Sequence, residues 1–348
     1  MITISLCMIV KNEEKNLDRC LSCVADLMDE IIVVDTGSTD RTKEIASKYT
    51  DKIYDFEWIN DFAAARNYAF SKASGDYIYS ADADEVIDEV NRERFRILKE
   101  NMYTEIEIVQ MYYCNQLKFG TVYNYDKEYR PKLFKRVRGF TWIDPIHETI
   151  RTEPLVFDSD VEIIHEPEES HACRDLSAFR RICEQEGELS KRLHNLYARE
   201  LFIAGEKEDF LQAENYFEKI ANDSMRSEDE MKEALCVTSR AARLRGDDKK
   251  FHKYAMKAVA CGSCAEICLE LGAYYMAEKE YDEAVVWYYN AAFETESILD
   301  VHSGGDKALR NLAECCRSAG LEDQAEEYEK MAADWQPDTA CKGTLSRK

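Results

Sequence analysis

The sequence predicts an α/β domain with a mostly parallel, doubly wound sheet, followed by an all-α domain of helical repeats. Short apolar runs alternate with amphipathic stretches in the first half, whereas helical spacing alone fills the second half. The length of 348 residues also exceeds the roughly 100–200 residues of a single compact domain. We expect the two domains to span residues 1–172 and 173–340.

Four strands and three helices alternate along the first 81 residues. The predicted strands are 2–10, 30–35, 52–56 and 77–81, and the predicted helices are 16–27, 41–49 and 62–73. Residues Ser38, Thr39 and Asp40 offer caps for the second helix. This alternation is typical of a parallel doubly wound sheet, which binds its ligands at the carboxyl ends of the strands.

Three polar clusters follow predicted strands: Lys11-Asn12-Glu13, Asp35-Thr36-Gly37-Ser38 and Asp82-Ala83-Asp84-Glu85. In extended geometry Asp82 and Asp84 would point to the same side and hold a hard divalent cation such as Mg²⁺ or Mn²⁺. Phosphate oxygens can fill the remaining positions of such a cation. The cation then neutralises the charge that develops on a diphosphate leaving group. The three clusters therefore predict a site at one edge of the sheet.

Helical repeats are predicted beyond about residue 175. The clearest copy spans 265–292, where Leu271, Gly272, Tyr275, Ala284, Tyr288 and Ala291 match the tetratricopeptide positions. Small residues at Gly272 and Ala284 let the two helices of this copy approach closely. Further copies are predicted at 306–337, 194–221 and 232–259. Four helix pairs in a row bury a continuous core and leave a concave face.

The bulk composition excludes several classes of protein. A net charge of −23 repels nucleic-acid backbones, so no nucleic-acid partner is expected. No segment approaches the ~20 apolar residues of a membrane span, and the first residues lack a secretory signal. We therefore expect a cytoplasmic protein with reduced cysteines. The pairs Cys20/Cys23 and Cys261/Cys264 lie in helical patterns, which favours buried thiols over the alternative of zinc or redox sites.

Four segments in the first 90 residues stand out when they are taken together. They are Ser5-Leu6-Cys7-Met8-Ile9-Val10-Lys11-Asn12-Glu13-Glu14, Val33-Val34-Asp35-Thr36-Gly37-Ser38-Thr39-Asp40, Phe62-Ala63-Ala64-Ala65-Arg66-Asn67 and Gly75-Asp76-Tyr77-Ile78-Tyr79-Ser80-Ala81-Asp82-Ala83-Asp84-Glu85. In their order and at their intervals they resemble the family 2 glycosyltransferases of the Rossmann-like GT-A fold, and the resemblance extends to about residue 170.

This resemblance implies a nucleotide-sugar site. Asp35 occupies the position of the family's acid that contacts the base, and a carboxylate accepts the N3–H of uracil, so a UDP-sugar donor is expected. Arg66 offers a charged fork to a phosphate or an acid, with an ion pair to a neighbouring carboxylate as the alternative. The donor-site residues so predicted are Lys11, Asn12, Glu13, Asp35, Gly37, Ser38, Arg66, Asp82 and Ala83.

The resemblance also implies an acceptor side and a third metal ligand. The segments 130–135 and 142–148 resemble an Arg-Leu-Phe…Trp…His-Glu pattern of bacterial transferases in this family. Inverting transfer needs a base, for which Glu148 is the first candidate and Asp144 the second. His147 would position the acceptor or the diphosphate, the alternative being that the His-Glu pair only holds the loop. His165 matches a late histidine that completes the metal shell with Asp82 and Asp84, although the following residues 166–168 depart from the family pattern.

Three functions remain open at the level of sequence. The first is a metal-dependent inverting transferase that moves a sugar from a UDP-sugar to a peptide or protein held partly by the repeats, because similar two-domain enzymes glycosylate peptides. The second keeps the enzyme but takes a saccharide or a lipid-linked glycan as acceptor. The third is a non-catalytic repeat scaffold, against which the Asp82/Asp84 pair argues. A repeat stack with an exposed end also allows a homodimer.

Overall fold

The computed structural model describes residues 2–114, 127–150, 154–165 and 172–337. These residues divide into two compact units, one within 2–165 and the other within 172–337. The first unit is α/β and the second is helical, which confirms the predicted fold class. The predicted domain limits stay a prediction, because residues 166–171 and 338–348 lie outside the described residues.

The strands of the first unit are β1 (Ile4–Val10), β2 (Glu30–Asp35), β3 (Ile53–Asp55), β4 (Tyr77–Ala81), β5 (Glu85–Val86), β6 (Ile108–Cys114), β7 (Glu128–Lys135), β8 (Trp142–Ile143), β9 (Thr149–Ile150) and β10 (Val156–His165). Among the described residues, eight of them form one sheet in the order β3-β2-β1-β4-β7-β6-β10-β5. Strands β1 to β4 are mutually parallel, as predicted. Strand β7 runs antiparallel to both β4 and β6, while β8 and β9 form a separate hairpin.

The helices of the first unit are α1 (Leu17–Val24), α2 (Thr42–Ala46), α3 (Phe62–Lys72) and α4 (Glu89–Asn101). Helix α2 is shorter than predicted and has no side-chain cap at Arg41, the residue before it. Of the predicted caps, Asp40 accepts the N–H of Thr42 at 3.0 Å, whereas the hydroxyl of Ser38 accepts the N–H of Asn12. The hydroxyl of Ser38 therefore binds the loop that follows β1 instead of capping α2.

Both faces of the sheet are covered by apolar side chains. Leu6 and Met8 of β1 lie in the larger core, together with Leu21 of α1. The intervening Cys7 lies in the core on the other face, together with Phe70 of α3. Because alternate residues of a strand point to opposite faces, β1 is buried on both sides. The sheet therefore exposes its strand ends, where the polar loops lie.

The second unit contains the helices α5 (Ala172–Glu186), α6 (Lys191–Ala204), α7 (Lys207–Ala221), α8 (Glu228–Arg245), α9 (Asp248–Ala260), α10 (Ala265–Ala277), α11 (Tyr281–Tyr289), α12 (Asp306–Ser318) and α13 (Glu322–Asp334). The four predicted copies correspond to the consecutive pairs from α6–α7 to α12–α13. Their assignment to the tetratricopeptide class stays a prediction. Among the described helices, none combines the length and the apolar character that a bilayer crossing requires.

The four cysteines of the two Cys-x-x-Cys pairs are free thiols. Cys20 and Cys264 are buried, and Cys23 and Cys261 are half-buried. Within the described residues, no three or more His, Cys, Asp and Glu side chains form a group that could hold a metal ion. Two of the four thiols are therefore buried as predicted, and the purely structural role of the four cysteines stays a prediction.

Gly272 of α10 permits the close approach that the sequence predicted. A Cβ atom at this position would lie 2.5 Å from Cε1 of Tyr288 on α11. Tyr288 is buried in the same core, so its ring has little room to retreat.

The substitution Gly272→Ala should therefore lower the free energy of unfolding by about 1–3 kcal/mol through overpacking. Urea denaturation measures this loss. In a Tyr288→Ala background the added methyl group meets no ring, so its cost should shrink markedly. The same cost in both backgrounds would contradict the proposed contact.

Candidate active site

The loops that follow β1 and β2 are joined by hydrogen bonds. The side-chain oxygen of Asn12 accepts the N–H of Thr39 at 2.8 Å, and the N–H of Asn12 donates to the hydroxyl of Ser38 at 2.9 Å. Asn12 has a φ of 57°, a left-handed conformation that asparagine tolerates better than most residues. The next residue, Glu13, donates its N–H to Thr42 at 2.7 Å. Two of the three predicted clusters thus form one continuous loop surface.

Asp35, at the end of β2, organises its own loop. Its carboxylate accepts the N–H groups of Gly37 at 3.2 Å and Ser38 at 2.8 Å, and Nζ of Lys43 lies 3.7 Å away. The side chain has 0% exposure, and the φ of 104° at Gly37 favours glycine. The predicted contact of Asp35 with uracil stays a prediction, because in this structure the carboxylate binds backbone amides.

The Asp82-Ala83-Asp84 triplet forms a turn, so the expectation of extended geometry is wrong. The N–H of Glu85 donates to the carbonyl of Asp82 at 3.2 Å, which closes the turn before the short strand β5. The thiol of Cys20 on α1 donates to the same carbonyl at 3.3 Å. The two carboxylates consequently meet different partners.

Arg66 of α3 is the partner of Asp82. Its Nη2 donates to Oδ1 of Asp82 at 2.7 Å, and its Nη1 donates to the hydroxyl of Ser80 at 3.2 Å. Its Nε donates to the carboxylate of Glu148, the predicted base. The alternative role of Arg66, an ion pair, is therefore present in this structure, and it involves two carboxylates. One guanidinium brings together a predicted donor-site acid and the predicted base.

These contacts shift the ionisation of the groups involved. Burial alone would lower the pKa of Arg66, but the charges of Asp82 and Glu148 outweigh it and raise the pKa above its ordinary value. Burial alone would raise the pKa of Asp82, but Arg66 and then Lys132 outweigh it and lower that pKa below its ordinary value. Both partners of this pair are thus held in their charged forms.

Asp84 contacts His165, the third predicted metal ligand. Nε2 of the histidine lies 3.1 Å from Oδ2 of Asp84, and the ring of Tyr113 lies 5.2 Å from the imidazole. The guanidinium of Arg130 lies over the same Tyr113 ring, 3.9 Å from its centroid. The structure therefore brings together two of the three predicted ligands.

A carboxylate and an imidazole in contact fit neighbouring positions around one Mn²⁺ or Mg²⁺ by ligand type and spacing. The predicted third ligand, Asp82, is paired with Arg66. The described residues alone do not complete a metal shell. A cation held by Asp84 and His165 would need further oxygen atoms, either from a diphosphate or from Asp82 after it leaves Arg66.

The segment that carries Glu148 is fixed to α3. Asn67 donates to the carbonyl of Trp142 at 2.9 Å and accepts its N–H at 2.8 Å, and the N–H of Phe62 donates to the carbonyl of Pro145 at 3.0 Å. Sequence reasoning gave Asn67 no role, although the residue belongs to one of the four family segments. That Asn67 directly follows Arg66 was the signal in the sequence that it belongs to the site.

The other two predicted acceptor-side residues, Asp144 and His147, lie in the same segment. Their φ values are 70° and 46°, which are left-handed conformations that cost non-glycine residues energy. Such a backbone persists where the surroundings hold it, and here Asn67 and Arg66 do so. The strained segment lies between β8 and β9, next to the predicted base.

A buried ion pair lies behind the triplet. Lys132 of β7 pairs with Glu85, and its Nζ also donates to the carbonyl of Ser80 at 3.3 Å. Both side chains are buried, and burial raises the pKa of Glu85 to about 7 against the opposing charge of Lys132. This pair holds the end of β4 in place, directly before Asp82.

Residues 5–164 match the model of the family named Glycosyl transferase family 2. The first unit is a family 2 glycosyltransferase domain. The predicted recognition of this domain, made from four short segments, is confirmed.

Curated relatives resemble parts of the chain. A TPR repeat-containing protein of Synechococcus elongatus is 52% identical over 85 residues, which cover 24% of this chain and 21% of the relative. The prophage-derived glycosyltransferase SunS of Bacillus subtilis is 40% identical over 92 residues, covering 26% and 22%. An uncharacterized glycosyltransferase of Rickettsia typhi is 29% identical over 177 residues, covering 47% and 56%. The chain thus spans about a fifth of the length of the first two relatives and about half of the third.

Among solved structures, glucosyl-3-phosphoglycerate synthase from Mycobacterium tuberculosis, in complex with Mg²⁺ and UDP, is similar to part of this chain. The identity is 13% and the TM-score 0.40, with 55% of this chain and 81% of that chain covered. A similarity of this level has no bearing on the ligands of the transferase domain.

The substitution Lys132→Met tests the buried pair of the transferase domain. It leaves Glu85 buried without its cation and should lower the free energy of unfolding by about 3–5 kcal/mol, as measured by urea denaturation. The double substitution Lys132→Met/Glu85→Gln should recover most of this loss. Arg96→Met, which removes an exposed ion pair with Glu93, should cost less than about 1 kcal/mol. A loss at Lys132 no larger than the loss at Arg96 would contradict the buried pair.

Proposed function

We propose that this chain transfers a sugar from a UDP-sugar, with inversion and with a bound Mn²⁺ or Mg²⁺, to a peptide or protein acceptor. One observation carries the proposal. In a family 2 glycosyltransferase domain, Arg66 joins Asp82, at the end of β4, to Glu148 on the acceptor-side segment. The residues predicted for leaving-group stabilisation and for proton removal therefore surround one guanidinium.

The donor side lies along the ends of three neighbouring strands. In the register of the sheet, Val10 of β1 pairs with Asp35 of β2, and Met8 pairs with Ala81 of β4. The loops after these strands would bind the nucleoside through Lys11, Asn12, Glu13, Asp35, Gly37 and Ser38 and the diphosphate near Asp82 and Ala83. A divalent cation, held by Asp84 and His165 and by Asp82 on release from Arg66, would neutralise charge on the departing diphosphate.

The acceptor side supplies the base. Glu148 would take the proton of the attacking acceptor atom, and its side chain is only 12% exposed, which limits access by water. Arg66 holds this carboxylate in place, so the base needs no rearrangement of its own chain segment. Asp144 is the second candidate for the base, and His147 would position the acceptor or the diphosphate.

The helical second unit supports our choice of acceptor class. If the consecutive helix pairs from α6–α7 to α12–α13 are helical repeats as predicted, they would offer the kind of concave surface that binds extended or helical peptides. We therefore favour a peptide or protein acceptor over a saccharide or a lipid-linked glycan.

The donor is tested with UDP-glucose, UDP-GlcNAc and UDP-galactose in the presence of Mn²⁺. At least one of them should be hydrolysed slowly to UDP, and EDTA should abolish the reaction. Asp84→Asn should lower the rate about 100-fold, because one ligand of the cation loses its charge. The exposed Asp51→Asn is the control and should leave the rate unchanged. Full activity in EDTA would contradict the cation, and three intact donors would contradict the donor class.

The base is tested by Glu148→Gln. Sugar transfer should fall about 10²–10⁴-fold while UDP binding stays the same, because the amide cannot accept the proton. Mass spectrometry of a peptide library and of saccharide acceptors measures transfer and identifies the acceptor class. Asp144→Asn should retain most activity. A larger loss in Asp144→Asn would reassign the base, and transfer to saccharides alone would contradict the peptide acceptor.

A further inference from the structure

We propose that Arg66 is a positioning residue that exchanges partners when the donor binds, and so couples donor binding to the placement of Glu148. The inference rests on the proposed function, because it concerns the same donor and the same base. It adds that Asp82 is shared between Arg66 and the cation-bound diphosphate. Arg66 would hold Asp82 before the donor arrives and a diphosphate oxygen afterwards, while it keeps Glu148 throughout.

The geometry around Arg66 shows which of its contacts can change. The side chains of Arg66 and Glu148 are each 12% exposed, whereas that of Asp82 is 35% exposed. The guanidinium also lies 5.2 Å from the centroid of the Trp142 ring, whose backbone is held by Asn67. Arg66 and Glu148 are thus enclosed together, and Asp82 is the partner that faces the open side.

Electrostatics makes the exchange follow from donor binding. A divalent cation that approaches Asp82 repels the guanidinium and competes for the same carboxylate. The diphosphate brings negative oxygens to the same place, and a guanidinium binds such oxygens through its parallel N–H groups. The Nη2 group that leaves Asp82 therefore has a new acceptor within the site. The Nε contact with Glu148 points in another direction and does not need to break.

The consequence is an ordered site. Before the donor binds, Arg66 competes with the cation at Asp82, which weakens the binding of a cation alone. After the donor binds, the same guanidinium bridges the diphosphate and Glu148. The base is then held at a fixed distance from the reacting sugar. A merely structural arginine would instead keep Asp82 in place, so its loss would weaken cation binding.

Isothermal titration of the full chain with Mn²⁺ alone separates these two roles. Arg66→Gln should bind Mn²⁺ roughly tenfold more tightly than the wild type, because Asp82 loses its competitor. Arg96→Gln, which removes an exposed arginine of the same unit, should leave the affinity unchanged. Equal or weaker Mn²⁺ binding in Arg66→Gln would overturn the inference, as would the lack of Mn²⁺ binding in every variant.

Kinetics with the UDP-sugar gives a second measurement. Arg66→Gln should lower kcat about 100-fold, because Glu148 is no longer placed, and should raise KM for the donor by a smaller factor, because the diphosphate loses its guanidinium partner. Arg66→Lys keeps the charge without the planar fork and should recover part of kcat. Unchanged kcat in Arg66→Gln would overturn the inference while the proposed function stands. A wild type that transfers no sugar would overturn the proposed function, and the Mn²⁺ titration would still decide the competition at Asp82.

Circular dichroism and urea denaturation show whether Arg66→Gln folds. If this variant is unfolded, Arg66→Lys takes its place in both experiments. Its single ammonium cannot bridge Asp82 and Glu148 as the guanidinium does, so tighter Mn²⁺ binding and lower kcat are expected again, with smaller changes. Wild-type values of both quantities in Arg66→Lys would overturn the inference.

Discussion

Strand β1 pairs in parallel with β2 on one side and with β4 on the other, and the rest of the site depends on this pairing. The register places the ends of the three strands side by side, so the loops that follow them share one edge of the sheet. Burial of β1 on both faces constrains this register, because a slip by one residue would exchange the side chains packed near Leu21 of α1 with those packed near Phe70 of α3 and disrupt both cores. The polar loops therefore have little freedom in where they lie.

Charge pairing is the second constraint on the site. The chain carries a formal net charge of −23, and yet the carboxylates nearest the candidate site have buried or half-buried cations beside them. Arg66 forms ion pairs with Asp82 and Glu148, and Lys132 forms one with Glu85. In a protein with so many acids, these two cations offset the repulsion between carboxylates that lie close together. Their removal would leave negative groups repelling one another at low exposure.

The sequence predicted most of the parallel half of the sheet and the helix pairs, because both have strong local periodicity. It also assigned Asp82, Asp84 and Glu148 to one site, because short segments around them resemble a family; that assignment stays a prediction, although Arg66 joins Asp82 to Glu148. It did not predict the turn at Asp82-Ala83-Asp84, because one residue of spacing is compatible with both turn and extended backbone. Arg66 and Glu148 are 82 positions apart in the sequence, and no local pattern predicts a contact between segments that far apart. The contact of Asn67 with Trp142, 75 positions away, was missed for the same reason, although the adjacency of Asn67 to Arg66 was a local signal.

Strand β7 enters the sheet in the direction opposite to β4, with Leu133 beside Tyr79. An antiparallel strand brings its beginning, and not its end, to the edge where the parallel strands finish. Lys132 therefore reaches the site from a segment that is separate in sequence from the donor loops. The residues that we propose for the donor site, other than His165, all precede Val86. They are therefore separate in sequence from the proposed acceptor segment at 142–150. Substitutions in the proposed acceptor segment therefore leave the loops after β1, β2 and β4 unchanged in sequence, provided that Asn67 and Arg66 of α3 still hold the segment.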